Sequence, residues 1–156
     1  MYEEAKGLDN TRLYDTASGW FATKKSDFDS QHIYFKRLII PNKVQRPVLV
    51  SECGGYSRRI QEHFYAKYAQ FGYGDCADEQ ELTERIQSLY EDTILPAVSQ
   101  GVCGCIYTQL SDVEDEINGL YTYDRRVCKV DRKAMMEIRE KLDEAAQSPL
   151  LSCGGY

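Results

Sequence analysis

The stretch Pro47-Val48-Leu49-Val50-Ser51-Glu52 constrains the fold more than any other part of the chain. Its apolar residues run on without alternating with polar ones, and a glycine pair, Gly54-Gly55, follows closely. A run of that kind reads as a strand buried on both faces, the setting of a parallel sheet flanked by helices. Parallel strands need long crossovers, and 156 residues give room for them around one core.

The remaining pattern agrees with that setting. Residues 12–17, 31–35 and 104–109 are short runs rich in β-branched and aromatic side chains, and each predicts a further strand. Residues 79–99 predict a helix. Asp78 caps it, Glu81 completes a capping box, and Leu82, Ile86, Leu89 and Thr93 share one face. Residues 132–146 predict a second helix behind Asp131, with Val130 and Met135 as a staple and Ala134, Ile138, Leu142 and Ala145 as its inner stripe. Residues 2–8 read as the end of a helix stopped at Gly7. The connections 21–30 and 36–46 are too short for a full crossover helix with its turns, so extended links are expected there. The expected fold is therefore α/β, with about four parallel strands and two main helices. One domain spans residues 1–147, and 148–156 form a tail without periodicity.

Composition removes several function classes. A formal charge of -6 is the wrong sign for a nucleic-acid or anionic-membrane binder. No apolar run approaches the ~20 residues of a membrane span. Met1-Tyr2-Glu3-Glu4 has neither the basic nor the apolar part of a signal peptide. The six Cys are then expected as reduced, mostly buried thiols in a cytoplasmic protein. Metal binding is not expected, because Cys103-Gly104-Cys105 lacks zinc-site spacing and the only His are His32 and His63. The acidic run Asp112-Val113-Glu114-Asp115-Glu116 fails as a calcium loop, since Ile117 occupies the sixth position where glycine is required. No cofactor is implied. Twelve Tyr, five Phe and one Trp suit core packing, and they equally suit a site that stacks flat faces such as sugar rings.

Asp15, His32, Glu52 and Gln109 each stand at or near the C-terminal end of a predicted strand. Ligands bind at that edge of parallel α/β sheets. Glu52 is the sharpest candidate, because a strand holds its carboxylate and the glycines after it let a substrate approach the backbone. Asp112 stands closest to the last strand in the acidic run and is its functional candidate, whereas Glu114 and Glu116 read as solvated.

Pro47 through Gly55 resembles the seventh-strand nucleophile segment of glycoside hydrolase family 2, the β-galactosidase, β-glucuronidase and β-mannosidase group. Gly104, Tyr107-Thr108-Gln109-Leu110-Ser111-Asp112 and the run through Ile117-Asn118-Gly119-Leu120 to Tyr121-Thr122-Tyr123-Asp124-Arg125 resemble its eighth strand and following loop. Leu8-Asp9 through Ala17-Ser18-Gly19-Trp20 resembles the fifth strand, and Asp27 to His32 with Tyr34 the sixth. The resemblance extends to about residue 145.

The resemblance implies the C-terminal half of a (β/α)8 barrel that hydrolyses β-glycosides in carbohydrate metabolism with retention of configuration. Glu52 falls on the nucleophile position. His32, Tyr34, Trp20, Gln109 and Asp112 fall on positions that would line the sugar site. The family's acid/base is a Glu in an Asn-Glu pair ending the fourth strand, and no such pair occurs in this sequence. The implied partner is then a carbohydrate substrate together with the other half-barrel, or a second copy of the chain covering the open edges. The alternative is a catalytically inactive carbohydrate-binding or interaction module that uses Trp20, Tyr34, Tyr107 and Tyr121.

Overall fold

The structure is a computed structural model, and it describes residues 1–16, 19, 21, 24–40, 45–65 and 71–147. Its centre is a three-stranded parallel sheet in the order β1 (Asp29–His32), β2 (Val48–Gly54), β3 (Val102–Thr108). The apolar run at 47–52 supplies the middle strand, where both edges are paired, with Val48 and Val50 fully buried. Its predicted end at Glu52 falls short, because the ladder to β3 continues through Cys53 and Gly54. Besides α1 (Tyr2–Leu8), the helices are α2 (Glu79–Leu89), a π-helical turn over Tyr90–Ile94, α3 (Leu95–Val98) and α4 (Arg132–Gln147). No helix among the described residues is long and apolar enough to cross a membrane.

The fourth expected strand is absent among the described residues. Residues 12–16 carry no strand, and Ala17 lies outside the described residues. The Asp27 N–H does donate to the Tyr14 carbonyl at 2.9 Å, but side chains take the neighbouring bonds that would extend this contact into a ladder. The Tyr14 N–H goes to Asp27 Oδ2 at 2.7 Å and the Thr16 hydroxyl goes to the Lys25 carbonyl. Asp15 consequently sits in coil. The predicted strand at 31–35 shifts to Asp29–His32. Its apolar half turns away after the Ile33 N–H meets the Glu52 carbonyl at 3.0 Å, and Ile33 packs into the core from the connection.

The long helix begins as the capping pattern requires. Asp78 Oδ1 accepts the Glu81 N–H at 2.9 Å, and Glu81 Oε2 accepts the Ala77 N–H, one residue earlier than a capping box predicts. Pro96 then intervenes. It has no N–H to offer, and its ring crowds the carbonyl four residues back. Just ahead of it the helix widens into the π-turn, with the Leu95 N–H reaching the Tyr90 carbonyl. The widened turn rotates the inner face. Leu82, Ile86, Tyr90, Ile94 and Ala97 are buried, whereas the predicted Leu89 and Thr93 are half-buried. With Ile138 of α4, this face packs on one side of the sheet against Val48, Val50, Cys53, Cys105 and Tyr107.

The other side of the sheet carries Ser30, Ser51 and Thr108, and no helix covers it among the described residues. The Ser30 hydroxyl lies 2.6 Å from that of Ser51, and Ile106 of the edge strand is 55% exposed. The five described cysteines are thiols; Cys53 and Cys76 are buried, and Cys103 is exposed. Burial pushes the Cys53 thiol up to about 12, so it packs as an apolar group.

Candidate active site

A β-bulge decides where Glu52 points. Strict alternation along β2 would put Glu52 on the face of Val48 and Val50, inside the helix-packed core. The register prevents this. Gln31 pairs with Val50 but His32 pairs with Glu52, and on the other edge Val50 pairs with Cys105 while Cys53 pairs with Tyr107. β2 therefore holds one residue more than either neighbour across this interval. Ser51 and Glu52 both turn to the helix-free face, and Cys53 takes up the core position that follows.

On that face Glu52 meets two side chains from β1 and its continuation. The Tyr34 hydroxyl lies 2.9 Å from Glu52 Oε2 and 2.8 Å from Thr108 Oγ1. A carboxylate can only accept, so Tyr34 donates its one proton to Glu52, and Thr108 supplies the proton for the hydroxyl–hydroxyl contact. Burial pushes the Tyr34 phenol far above its ordinary range, and the negative charge of Glu52 adds to the effect, so Tyr34 stays a donor across neutral and alkaline pH. His32 Nδ1 stands 3.2 Å from the same carboxylate oxygen; its side chain is 3% exposed and that of Glu52 is 39% exposed. A polar floor thus holds one oxygen of a carboxylate whose side chain still reaches solvent.

The glycine pair after the strand serves this arrangement. Gly54 and Gly55 have φ of +82° and +70°, a region that favours glycine. A Cβ on Gly55 would lie 2.5 Å from Tyr73 Cδ2 and 3.0 Å from Tyr34 Cε1. Its absence lets the Tyr34 and Tyr73 rings stack at 4.0 Å between centroids. Nothing in the local sequence around Tyr73 marks it as part of the site; it arrives through the long connection from β2 to α2.

Gln109 and Asp112 follow β3 on the same edge, and both are engaged within their own loop. Gln109 Nε2 donates to Glu116 Oε2 and Asn118 Oδ1, each at 2.8 Å. Glu116 is exposed, as expected of a solvated residue, and it accepts this bond from the loop as well. Asp112 is 4% exposed, and its Oδ1 accepts from Lys129 Nζ at 2.7 Å and from the Gly119 N–H at 2.8 Å. Lys129 is fully buried, and its other donors reach the carbonyls of Ile117 and Arg58 at 2.8 and 3.0 Å. Asp112 and Lys129 thus tie the loop after β3 to the loop after β2. Sequence reading missed Lys129, because only the fold reveals that a lysine amid polar loop residues is buried.

The structure brings Glu52, His32 and Tyr34 together and places Gln109 and Asp112 in the adjoining loop lattice. Trp20 lies outside the described residues. Tyr107 turns to the helix side of β3, where it packs on the core with Gly54 against its ring. No group of three His, Cys, Asp or Glu among the described residues could hold a metal ion. Chemically, the arrangement offers one part-exposed carboxylate held by a phenol, with an imidazole 3.2 Å from the same oxygen, near the C-terminal edge of a parallel sheet. Comparison of the chain with models of known families and with curated proteins finds no match.

Proposed function

We propose that the chain is the C-terminal half of a family 2 glycosidase barrel and that Glu52 is its nucleophile. The observation that carries this reading is the position of Glu52. It stands two residues before the C-terminal end of the central parallel strand, is turned by a bulge onto the helix-free face, and is gripped at Oε2 by Tyr34 with His32 at ion-pair distance. In a barrel that face is the interior, and the C-terminal edge is the mouth.

In the proposed reaction a carboxylate oxygen of Glu52 forms a bond to the anomeric carbon while the bond from that carbon to the leaving oxygen breaks. A second carboxyl, contributed from outside this sequence, gives its proton to the leaving oxygen. The same group then takes a proton from water, whose oxygen displaces Glu52 and restores the carboxylate. The Tyr34 hydroxyl orients Glu52 for the first step and stabilises its charge when it leaves in the second. The Asp112–Lys129 tie holds the loop that carries Gln109. The sheet edges β1 and β3 are where the other half-barrel would pair.

The test uses 2,4-dinitrophenyl β-D-glycosides, whose leaving group needs no protonation. Slow release of dinitrophenol by the chain, abolished in Glu52→Gln, is the expected result. Equal release by the wild type and Glu52→Gln refutes the assignment. Unaltered binding of methyl β-glycosides by Glu52→Gln, with no release by either protein, would favour a non-catalytic carbohydrate-binding module instead.

A further inference from the structure

Beside Glu52 lies a group of aromatic rings that the proposed bond cleavage does not use. Tyr73 stacks on Tyr34, the residue that grips Glu52, with the ring planes 22° apart. Two phenylalanines meet Tyr73 edge-on, Phe35 at 5.1 Å and Phe71 at 5.2 Å between centroids. They come from different connections, one after β1 and one between β2 and α2, so this is a tertiary arrangement and not a run of neighbours. Exposure rises outward along it. His32 is 5% exposed, the Glu52 side chain 39%, Phe71 49% and Phe35 78%.

That gradient separates two chemistries. The inner part is polar and charged and matches a ring that carries hydroxyls. The outer part, Phe35 and Phe71 set edge-on around the Tyr73 ring, is flat and mostly apolar. A glycoside whose anomeric carbon rests on Glu52 must project its leaving group away from the nucleophile, toward the open side. We infer that Tyr73, Phe35 and Phe71 form a platform for the leaving group, and that the preferred substrates carry a flat apolar aglycone such as an aryl ring. The inference rests on the proposed role of Glu52 and adds the substrate class to it.

Affinities of the intact chain for methyl and 4-nitrophenyl β-D-glycosides of galactose, glucuronic acid and mannose test it, by titration calorimetry, with 4-nitrophenol alone as control. The expected result is that 4-nitrophenyl glycosides bind about fivefold tighter than their methyl counterparts, the scale of one aromatic contact. Phe35 and Phe71 are well exposed, so the double variant F35A/F71A is expected to fold with the wild-type far-UV circular dichroism, to lose the preference to below about twofold, and to keep the wild-type affinity for the methyl glycosides, which do not reach the platform. Equal affinity for the two glycosides, with Glu52-dependent release intact, overturns this inference alone. So does a preference that survives F35A/F71A or is matched by 4-nitrophenol. Binding of neither glycoside, with no release, refutes the role of Glu52 and this inference together.

Discussion

Replacing Lys129 with Met is expected to be the most damaging single change outside the packed core. The lysine is fully buried, and its ammonium group donates to three oxygens within 3.0 Å: Asp112 Oδ1, the Ile117 carbonyl and the Arg58 carbonyl. At 2.7 Å the Coulomb attraction is about 6 kcal/mol for an effective dielectric constant near 20. Removing two ions from water costs several kcal/mol each, so the intact pair adds little net stability. Breaking it is another matter. Methionine keeps the aliphatic stem but leaves a buried carboxylate with the Gly119 N–H, removes the ammonium donor from the Arg58 carbonyl, and leaves the Ile117 carbonyl only the Arg58 N–H. The expected cost is about 3–5 kcal/mol, a large part of the total stability of a small domain.

The pH dependence of that cost identifies its source. Burial raises the Asp112 carboxyl above its ordinary value, and Lys129 opposes the rise. In Lys129→Met the opposition is gone, so the folded protein binds a proton more tightly than the unfolded chain does. The variant is then penalised most at neutral pH and recovers as pH falls toward the raised value. Urea unfolding at pH 7 and pH 5 measures both effects. The double variant D112N/K129M, with neither charge, should be more stable than K129M by about 1–2 kcal/mol at pH 7. A K129M protein within about 1 kcal/mol of wild type, or one equally destabilised at both pH values, would refute the reasoning.

Gly55→Ala should cost about 1–3 kcal/mol through its positive φ and, by driving a methyl into Tyr73, should change the near-UV circular dichroism of the Tyr34–Tyr73 stack; an unaltered spectrum would contradict this. Asp27 docks α1 by accepting from Lys6 Nζ, the Tyr2 hydroxyl and the Tyr14 N–H, which hold its carboxyl down at about 2. A depressed carboxyl stabilises the fold above its unfolded value and ceases to do so as it protonates. Amide exchange in residues 2–8 should therefore accelerate between about pH 4 and pH 2, and constant protection over that window would count against the dock. The helix-free sheet face and the edge strand β3, with Ile106 55% exposed, predict association, so the chain should elute above the 17.9 kDa monomer; monomeric elution at all concentrations would argue otherwise.

The middle strand and both long helices are legible in the sequence, because their signals are local. An unbroken apolar run, an Asp cap and a periodic stripe each act over a few residues. The edge elements are less legible. At residues 12–16 the outcome depends on Asp27, a residue distant in sequence, whose side chain takes the Tyr14 N–H. The π-turn was readable in principle from Pro96, yet its effect, moving burial from Thr93 to Ile94, is geometric. The candidate site divides the same way. Glu52, His32 and Tyr34 stand on strand ends and their continuation, and meet because the strands are parallel neighbours. The bulge that turns Glu52 to the open face leaves no mark in composition, since Ser51 alone gives no reason for an extra residue. Asp112 was legible as a residue close to the last strand, but its partner Lys129 and the burial of both become visible only when three connections are brought together.

The most direct test of the central claim is covalent capture. Incubation with 2,4-dinitrophenyl 2-deoxy-2-fluoro-β-D-glycosides of galactose, glucuronic acid and mannose, followed by intact mass and peptide mapping, reports which side chain forms an ester with the sugar. The account predicts a single fluoroglycosyl adduct on Glu52, formed in wild type and absent in Glu52→Gln. An adduct on a different residue, or none from any of the three sugars even with an Asn-Glu-bearing upstream half-barrel added in trans, would contradict it.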